Sequence, residues 1–321
     1  MQNQAERRPL AVGVIGTGGM GARHAVNVHR FVSGARVAGV YDLDQARAGQ
    51  VAAACGPAAV FTDPAALIAA DGVEAVVIAA PDDTHAELTL ACLRAGKPVL
   101  CEKPLATTAA AAGRVVQAEA ALGRRLVAVG YMRRFDPQHL AIRALAHSGE
   151  IGQPLLFKGV HRNAQAAAGA TSAVILSNSA SHDLDSARWQ LGGEVQAVSV
   201  RGLRSRAELQ PELCDLLLIE LIMADGRLAV VELFVNAAYG YEVSAEVVCQ
   251  RGTAQTRQPG AALVRSRGNR GVPVASDWLA PFQEAYVAEL HAWVEAVQTG
   301  RPFAGANAWD GYVAAHITDA G

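Results

Sequence analysis

The chain has 321 residues, of which 51% are apolar and 18% are charged, and its formal net charge is −2. This composition is typical of a globular protein long enough for two domains, and the small net charge gives no reason to expect a nucleic-acid partner. No apolar run reaches the roughly 18 residues that a membrane-spanning helix needs, so no membrane partner is expected either.

The first third of the chain alternates short apolar runs with longer amphipathic stretches. The runs predict strands at Leu10–Ile15, Arg36–Tyr41, Ala75–Ala79, Val99–Cys101 and Leu126–Tyr131. The stretches predict helices that end near His29 and Cys55, and two more over Thr84–Ala95 and Thr108–Leu122. Such alternation predicts an α/β fold with a doubly wound parallel sheet, which binds ligands outside the carboxyl ends of its strands.

The pattern changes after Pro137. One helix to about Ser148 precedes strands predicted at Leu155–Val160, Val195–Arg201, Leu216–Met223, Leu228–Val235 and Val243–Gln250. Asp225-Gly226 signals a hairpin, and helices are predicted at His182–Leu191, Pro281–Gln298 and Trp309–Asp319. We therefore expect domains over residues 1–133 and 134–321, the second being α+β with a large, mostly antiparallel open sheet and the last helix packing back on the first domain. One face of such a sheet needs a cover, and self-association is one way to supply it.

The first predicted strand is followed by a glycine-rich segment, Gly16-Thr17-Gly18-Gly19-Met20-Gly21, which opens a predicted helix. Its Gly-x-Gly-x-x-Gly spacing allows a tight turn, close approach of the backbone to a pyrophosphate and close helix–strand packing. The helix N-terminus then presents N–H groups to the phosphates. The segment predicts a dinucleotide site, although glycine loops also serve as plain turns.

Asp42 follows the second predicted strand, about twenty residues after the glycine-rich segment. A carboxylate at this place accepts both ribose hydroxyls and repels a 2′-phosphate, which favours NAD over NADP. The alternative is that Asp42 caps the helix that follows.

Lysine is rare in this chain. Of 28 basic residues only Lys97, Lys103 and Lys158 are lysines. Lys103 lies in Cys101-Glu102-Lys103-Pro104, where the nicotinamide end of a dinucleotide would lie. Because an ammonium is a compact charge with a movable pKa, it suits a developing alkoxide. The alternatives are chance and an ion pair.

His182 opens a predicted helix within a polar cluster, Asn178-Ser179-Ala180-Ser181-His182-Asp183-Leu184-Asp185. Imidazole titrates near neutral pH, so His182 suits removal of a hydroxyl proton. A structural role remains the alternative, with Ser181 or Asp183 capping the helix.

Targeting segments and metal sites have no support in the sequence. The polar first nine residues predict no secretory signal. Five widely spaced cysteines without a CxxC pair predict neither a disulfide framework nor a metal site. A cytoplasmic location is the default expectation.

Taken together, these motifs resemble the glucose–fructose oxidoreductase, inositol dehydrogenase and rhizopine-catabolism (Gfo/Idh/MocA) superfamily, and within it the inositol 2-dehydrogenases most. The resemblance covers nearly the whole chain. It rests on Gly16–Gly21, Asp42, Pro81 with His85, Cys101–Thr108, Gly130–Asp136, His161–Asn163, His182–Asp185 with Arg188-Trp189, and Tyr239–Tyr241.

The resemblance implies a Rossmann domain that binds NAD and a C-terminal domain whose sheet builds a homo-oligomer, a tetramer or a dimer. It implies that Lys103 hydrogen-bonds the reacting hydroxyl and that His182 is the acid/base, and it allows a cis Lys103–Pro104 peptide. Cofactor positions would include Pro81, His85 and Glu102. Substrate-pocket positions would be Arg133, Asn163, Ser179, Asp185 and Tyr241.

One position departs from the family pattern. The family places an aspartate four residues before the histidine, where this chain has Asn178. An amide can hold a hydrogen bond but cannot supply charge, so support for the imidazolium of about one pKa unit, roughly 1.4 kcal/mol, would be lost. Asp183 or Asp185 is a candidate substitute.

The leading expectation is an NAD-dependent dehydrogenase that oxidises a secondary hydroxyl of a cyclitol or pyranose to a ketone. A close alternative changes the substrate to another sugar, an anhydrosugar or an aminocyclitol. Two further alternatives are a glycoside hydrolase that retains its NAD and a dinucleotide-sensing regulator.

Overall fold

The computed structural model describes residues 8–257, 263–266 and 269–321. Most of the polar opening segment, on which the prediction of no secretory signal rests, lies outside these residues. The chain forms two compact units. Unit 1 contains the described residues up to Met132 together with Ala285–His316, and unit 2 contains Arg133–Glu284 and Ile317–Gly321.

Unit 1 is built on a seven-stranded sheet. Its strands are β1 (Leu10–Ile15), β2 (Ala35–Tyr41), β3 (Ala59–Phe61), β4 (Ala75–Ile78), β5 (Val99–Glu102), β6 (Val127–Gly130) and, late in the chain, β15 (Ala306–Asn307). Their order is β15-β6-β5-β4-β1-β2-β3. All neighbours are parallel except β15, which runs antiparallel to β6. The predicted Rossmann sheet is confirmed.

The helices of unit 1 begin where the sequence offers caps. The five in the first part of the chain are α1 (Gly19–Phe31), α2 (Gln45–Ala54), α3 (Pro64–Ala69), α4 (His85–Arg94) and α5 (Ala109–Leu122). Side chains of Asp44, Asp63 and Thr108 accept first-turn N–H groups of α2, α3 and α5. Gly123, in the left-handed region at φ 61°, ends α5 as predicted.

Both faces of this sheet are buried. On one face Val12, Val14 and Val40 pack in a cluster with Leu290 and Trp293. On the other face a second cluster joins the sheet residues Ile15, Val76 and Ile78 to Ala112, Val115 and Ala314. Continuous apolar strands such as β1 and β4 are what a sheet covered on both faces requires.

Unit 2 carries a six-stranded, mostly antiparallel sheet, as predicted. Its elements in chain order begin with α6 (Pro137–His147), β7 (Pro154–Arg162), α7 (Ser172–Val174) and α8 (Ser181–Leu191). They continue with β8 (Val195–Leu203), β9 (Leu216–Met223), β10 (Leu228–Phe234), β11 (Glu242–Cys249) and β12 (Gly252–Gln255). The order is β12-β11-β7-β10-β9-β8, and only β7 and β10 pair in parallel.

The remaining elements lie towards the end of the chain. They are the small hairpin of β13 (Val264–Ser266) and β14 (Asn269–Gly271), then α9 (Leu279–Thr299) and α10 (Ala308–Ala320). Within the described ranges, no helix is long and apolar enough to cross a membrane.

One face of the second sheet is packed and the other is not. Along β10, Ala229, Val231 and Leu233 are buried, while the alternate residues Leu228 and Val230 are exposed and half-buried, respectively. α8 packs against β7, so the buried rows belong to the core of unit 2. The strict alternation is typical of a sheet with one covered face.

Candidate functional site

The glycine-rich segment joins β1 to α1 in a turn that few residues other than glycine can make. Gly16 has φ +86°, and a Cβ added there would meet the carbonyl oxygen of Ala79 at 2.4 Å. A Cβ on Gly21 would meet the carbonyl oxygen of Gly16 at 1.7 Å. A Cβ on Gly18 or Gly19, in contrast, would meet no described atom within 4 Å.

The same segment fits a pyrophosphate. Gly18 is the N-cap of α1, no described side chain caps this helix, and the space beside Gly18 and Gly19 holds no described atom within 4 Å of an added Cβ. A helix N-terminus of this kind attracts anionic groups through its N–H donors and dipole. Gly16, Thr17, Gly18, Gly19, Met20 and Gly21 therefore have the geometry that a dinucleotide needs.

Asp42 lies directly after β2 and is 6% exposed. Its carboxylate accepts hydrogen bonds from the N–H of Thr17 at 2.6 Å, the Thr17 hydroxyl at 2.9 Å and the N–H of Asp44 at 2.9 Å. Arg47 on α2 adds two more, from Nη2 at 2.6 Å and Nε at 3.3 Å. Burial acts to raise the pKa of Asp42, but these bonds outweigh it and hold the pKa at about 2. Asp44, not Asp42, caps α2, so the capping alternative for Asp42 is wrong.

His85 joins the segments that follow β4 and β5. It is 1% exposed at the start of α4, and its Nδ1 lies 2.7 Å from the carbonyl oxygen of Pro104 and its Nε2 lies 2.8 Å from that of Ala80. Burial acts to lower the pKa of His85, but interactions with Cys101 and the two carbonyl groups raise it to about 10. Pro81, one residue after Ala80, N-caps a short 3₁₀ turn that leads into α4.

Glu102 and Lys103 stand at the end of β5, and the Lys103–Pro104 peptide is cis. Glu102 is buried, and its carboxylate lies 2.6 Å from Nε2 of His24, a buried residue of α1. Burial acts to raise the pKa of Glu102, but the hydrogen bond and charge interaction with His24 and the charge of Lys103 lower it. Glu102 thus ties the end of β5 to the helix that follows the glycine-rich segment, and Lys103 is half-buried beside it.

In unit 2, four buried polar residues form what we name the Arg133 cluster: Arg133, His161, Asp183 and Tyr241. Asp183 is 1% exposed, with Oδ1 2.6 Å from Nη1 of Arg133 and Oδ2 2.7 Å from Nδ1 of His161. The ring of Tyr241 meets that of His161 edge to face at 5.8 Å, and its side chain hydrogen-bonds Arg133. The cluster brings together residues of β7, of α8, of the 3₁₀ turn Met132–Phe135 and of the segment directly before β11.

The charged groups of the Arg133 cluster and their burial shift the pKa values of its members. Burial acts to raise the pKa of Asp183, but Arg133 and His161 hold it at about 2. Burial raises the pKa of Tyr241 to about 12. Helix capping was an alternative for Asp183, and it was one of two candidate substitutes for the family aspartate; in the structure its carboxylate holds Arg133 and His161.

His182 lies in the first turn of α8 and is 8% exposed. The segment before it, Ile175–Ser179, forms a π-helical turn in which Ala180 donates to the carbonyl oxygen of Ile175. Half-buried Asn178 and Ser179 belong to this turn. The hydroxyl of Ser181 donates to the carbonyl of Asn178 and Ala180 is the N-cap, so neither Ser181 nor Asp183 caps α8. Single π turns occur often at functional sites.

The other two expected pocket residues have backbone or ion-pair roles as well. Asn163 follows β7, and its backbone bonds Phe234 and Ala237. Asp185 is 4% exposed and receives the guanidinium fork of Arg134 at 3.0 and 2.6 Å.

Comparison with known proteins agrees with this arrangement. Residues 10–131 match the model of an oxidoreductase family with an NAD-binding Rossmann fold, and residues 139–255 match the GFO/IDH/MocA C-terminal domain. The chain belongs to the GFO/IDH/MocA oxidoreductase family. It is therefore an NAD-dependent oxidoreductase, and the resemblance found in the sequence is confirmed.

Several relatives that align with nearly the whole chain are named inositol 2-dehydrogenase. The inositol 2-dehydrogenase of Rubrobacter xylanophilus is 50% identical over 320 residues, which cover 100% of this chain and 91% of the relative. Inositol 2-dehydrogenase 4 of Saccharopolyspora erythraea is 45% identical over 98% of this chain and 93% of its own. Among solved structures, myo-inositol dehydrogenase from Lactobacillus casei in complex with NAD(H) and myo-inositol has a TM-score of 0.92 at 31% identity, covering 97% of this chain and 93% of that one.

Proposed function

We propose that this enzyme oxidises a secondary hydroxyl of an inositol-type cyclitol to a ketone. The observation that carries the proposal is 50% identity over the full chain to a protein named inositol 2-dehydrogenase. The Arg133 cluster supports it, since a compact set of buried donors and acceptors suits a ligand that presents hydroxyls on every carbon. The hydrolase and regulator alternatives have no comparable support among the relatives.

The reaction needs a hydride acceptor, a proton acceptor and a group that stabilises the alkoxide. NAD, when bound, supplies the hydride acceptor. We assign Lys103 to the reacting hydroxyl, where its ammonium donates a hydrogen bond and stabilises the developing negative charge. We assign His182 to removal of the hydroxyl proton, with the Asn178 amide orienting the imidazole.

The other expected residues receive binding roles in this proposal. Gly16–Gly21 and Asp42 hold the pyrophosphate and the adenosine ribose, and Pro81, His85 and Glu102 shape the nicotinamide end. Arg133, Asn163, Ser179, Asp185 and Tyr241 face the polyol. We place the domain division between residues 133 and 134, with the cofactor bound by residues before it and the polyol bound by Arg133 and by residues after it.

We further propose that the enzyme is a cytoplasmic homo-oligomer, a tetramer or a dimer. The open face of the second sheet supports self-association. Leu228 and Ile222 are 48% and 46% exposed there on neighbouring strands. Side chains of this kind bury best against the same face of a second copy.

Net reduction of NAD tests the function. We would follow reduced-nicotinamide absorbance with inositol stereoisomers, hexoses, anhydrosugars and aminocyclitols. We expect an inositol to be turned over, and we expect K103M to lower kcat by about 10²–10⁴-fold while still binding NAD. The matched control is K97M, because Lys97 donates to the carbonyl of Ala70 and has no assigned role. Turnover restricted to other sugars, or none with any substrate, would overturn the proposal.

A further inference from the structure

The Asp42 carboxylate has no acceptor capacity to spare. It receives five hydrogen bonds, two on Oδ1 and three on Oδ2. A carboxylate offers about four lone-pair sites. The two hydroxyls of an adenosine ribose would add two further donors, so at least one present donor must leave before Asp42 can bind them.

The five donors differ in how easily they leave. The N–H groups of Thr17 and Asp44 belong to the backbone of the glycine-rich segment and of the turn before α2, and Thr17 is 1% exposed. Arg47 is the long side chain in the group, and 46% of it is exposed. Its second ion pair, with Asp44, is longer at 3.7 Å, and the Asp44 side chain is 52% exposed. Arg47 is therefore the donor that yields.

We infer that Arg47 competes with the adenosine ribose for Asp42 and thereby sets the balance between NAD and NADP. A guanidinium displaced from Asp42 remains on the first turns of α2, beside the ribose position. A 2′-phosphate would meet repulsion from Asp42, and the released guanidinium is the group that offsets it through a forked ion pair. Arg47 thus opposes NAD and assists NADP, so its removal has opposite effects on the two cofactors.

Direct binding of each cofactor to the enzyme without substrate tests this inference. In R47M, methionine keeps an unbranched stem on the exposed face of α2 and removes the guanidinium. We expect the Kd for NAD to fall two- to fivefold, the range that a partly exposed ion pair spans, and the Kd for NADP to rise by about fivefold or more. Titration calorimetry measures both values independently of turnover.

The matched control is R8M. Arg8 pairs with Glu74 at 2.6 Å before the amino end of β1, whereas Asp42 follows the carboxyl end of the parallel strand β2, and Arg8 is also largely exposed. We expect R8M to leave both Kd values unchanged. R47Q should agree with R47M in sign, and melting temperatures without nucleotide report whether each variant is folded.

Each result of the NAD and NADP titrations either supports or overturns the inference. Tighter NAD with weaker NADP supports the inference. NAD binding that is unchanged or weaker in R47M and R47Q overturns the competition, and NADP binding that is unchanged or tighter overturns the selectivity. Because no substrate is present, these results do not depend on which polyol the enzyme oxidises.

Discussion

The pKa of His85 is raised by Cys101 and by the two backbone carbonyl groups that flank its ring. Each ring nitrogen lies within hydrogen-bond distance of a carbonyl oxygen, which only accepts hydrogen bonds, so this geometry favours an imidazolium that donates from both nitrogens. The raised pKa, about 10, agrees with this geometry. His85 thus holds the segments after β4 and β5 together as a buried cation.

A pH series of unfolding tests this state. The folded pKa of His85 lies above the ordinary value of 6.5, so its contribution to stability is complete below about pH 6.5 and is lost as the pH rises through about 10. We expect the free energy of unfolding of the wild type, relative to H85Q, to fall across this window by up to about 1.4 kcal/mol per pH unit. Denaturant titration measures it. The control is H291Q, since half-buried His291 bonds one carbonyl, and parallel profiles of wild type and H85Q would contradict the prediction.

Sequence reasoning identified residues at this scale but not their partners. Asp42 was found from its spacing after the glycine-rich segment and Glu102 from the family resemblance, whereas Arg47 and His24 gave no signal of their own. Partners such as Asp183 and Arg133 are 50 residues apart in the chain, and only the fold makes them neighbours. The assignments of Lys103 and His182 to proton chemistry stay predictions.

At the scale of elements, the apolar strands and capped helices were predictable because each has a recognisable pattern of apolar residues that become buried. The elements that were missed bury little or depend on a neighbour. β3 has three residues and two of them are exposed, while β15 has two residues and exists by pairing with the edge strand β6. The π turn at Ile175–Ser179 gave no signal in the sequence pattern. It is defined by the backbone hydrogen bond from Ala180 to Ile175 and not by a spacing of apolar residues.

In the strand–turn–helix element around Gly16, Gly21 and Gly18 differ in the space available for a side chain. A Cβ at Gly21 would overlap the carbonyl of Gly16, whereas at Gly18, with φ −64°, it would enter open space. We expect G21A to lower the melting temperature without nucleotide by several degrees, since the turn must shift. We expect G18A to melt like the wild type but to bind NAD at least tenfold more weakly, because its methyl group fills the pyrophosphate space.

G21A and G18A are expected to change two different properties, which separate measurements report. Melting curves without nucleotide measure the packing effect, and calorimetry with NAD measures the binding effect. G49A serves as a control on α2, where an added Cβ would also meet nothing described within 4 Å. Wild-type NAD affinity in G18A, or wild-type melting in G21A, would contradict this account of the loop.

At the scale of the whole molecule, the open face of the second sheet is ordered in rows. One row crosses five strands with apolar side chains, Val248, Leu156, Leu228, Ile222 and Ala197. We name it the apolar row. Beside it, charged residues neutralise one another, since Lys158 pairs with Glu246 and Arg162 pairs with Glu232 and Glu242. Because the charges beside the apolar row are paired within one copy, two copies of this face can meet without charge repulsion.

A charge placed in the apolar row tests whether a second copy covers it. In L228R, a guanidinium replaces a central side chain of the row, and burying it against the same face of another copy would leave it without a counter-ion. We expect the wild type to have the mass of a dimer or tetramer by light scattering, and L228R to have a smaller mass while still binding NAD. The control is L122R, because Leu122 at the end of α5 is 44% exposed and lies outside the second sheet. A monomeric wild type, or an L228R variant with unchanged mass, would show that this face is not where copies meet.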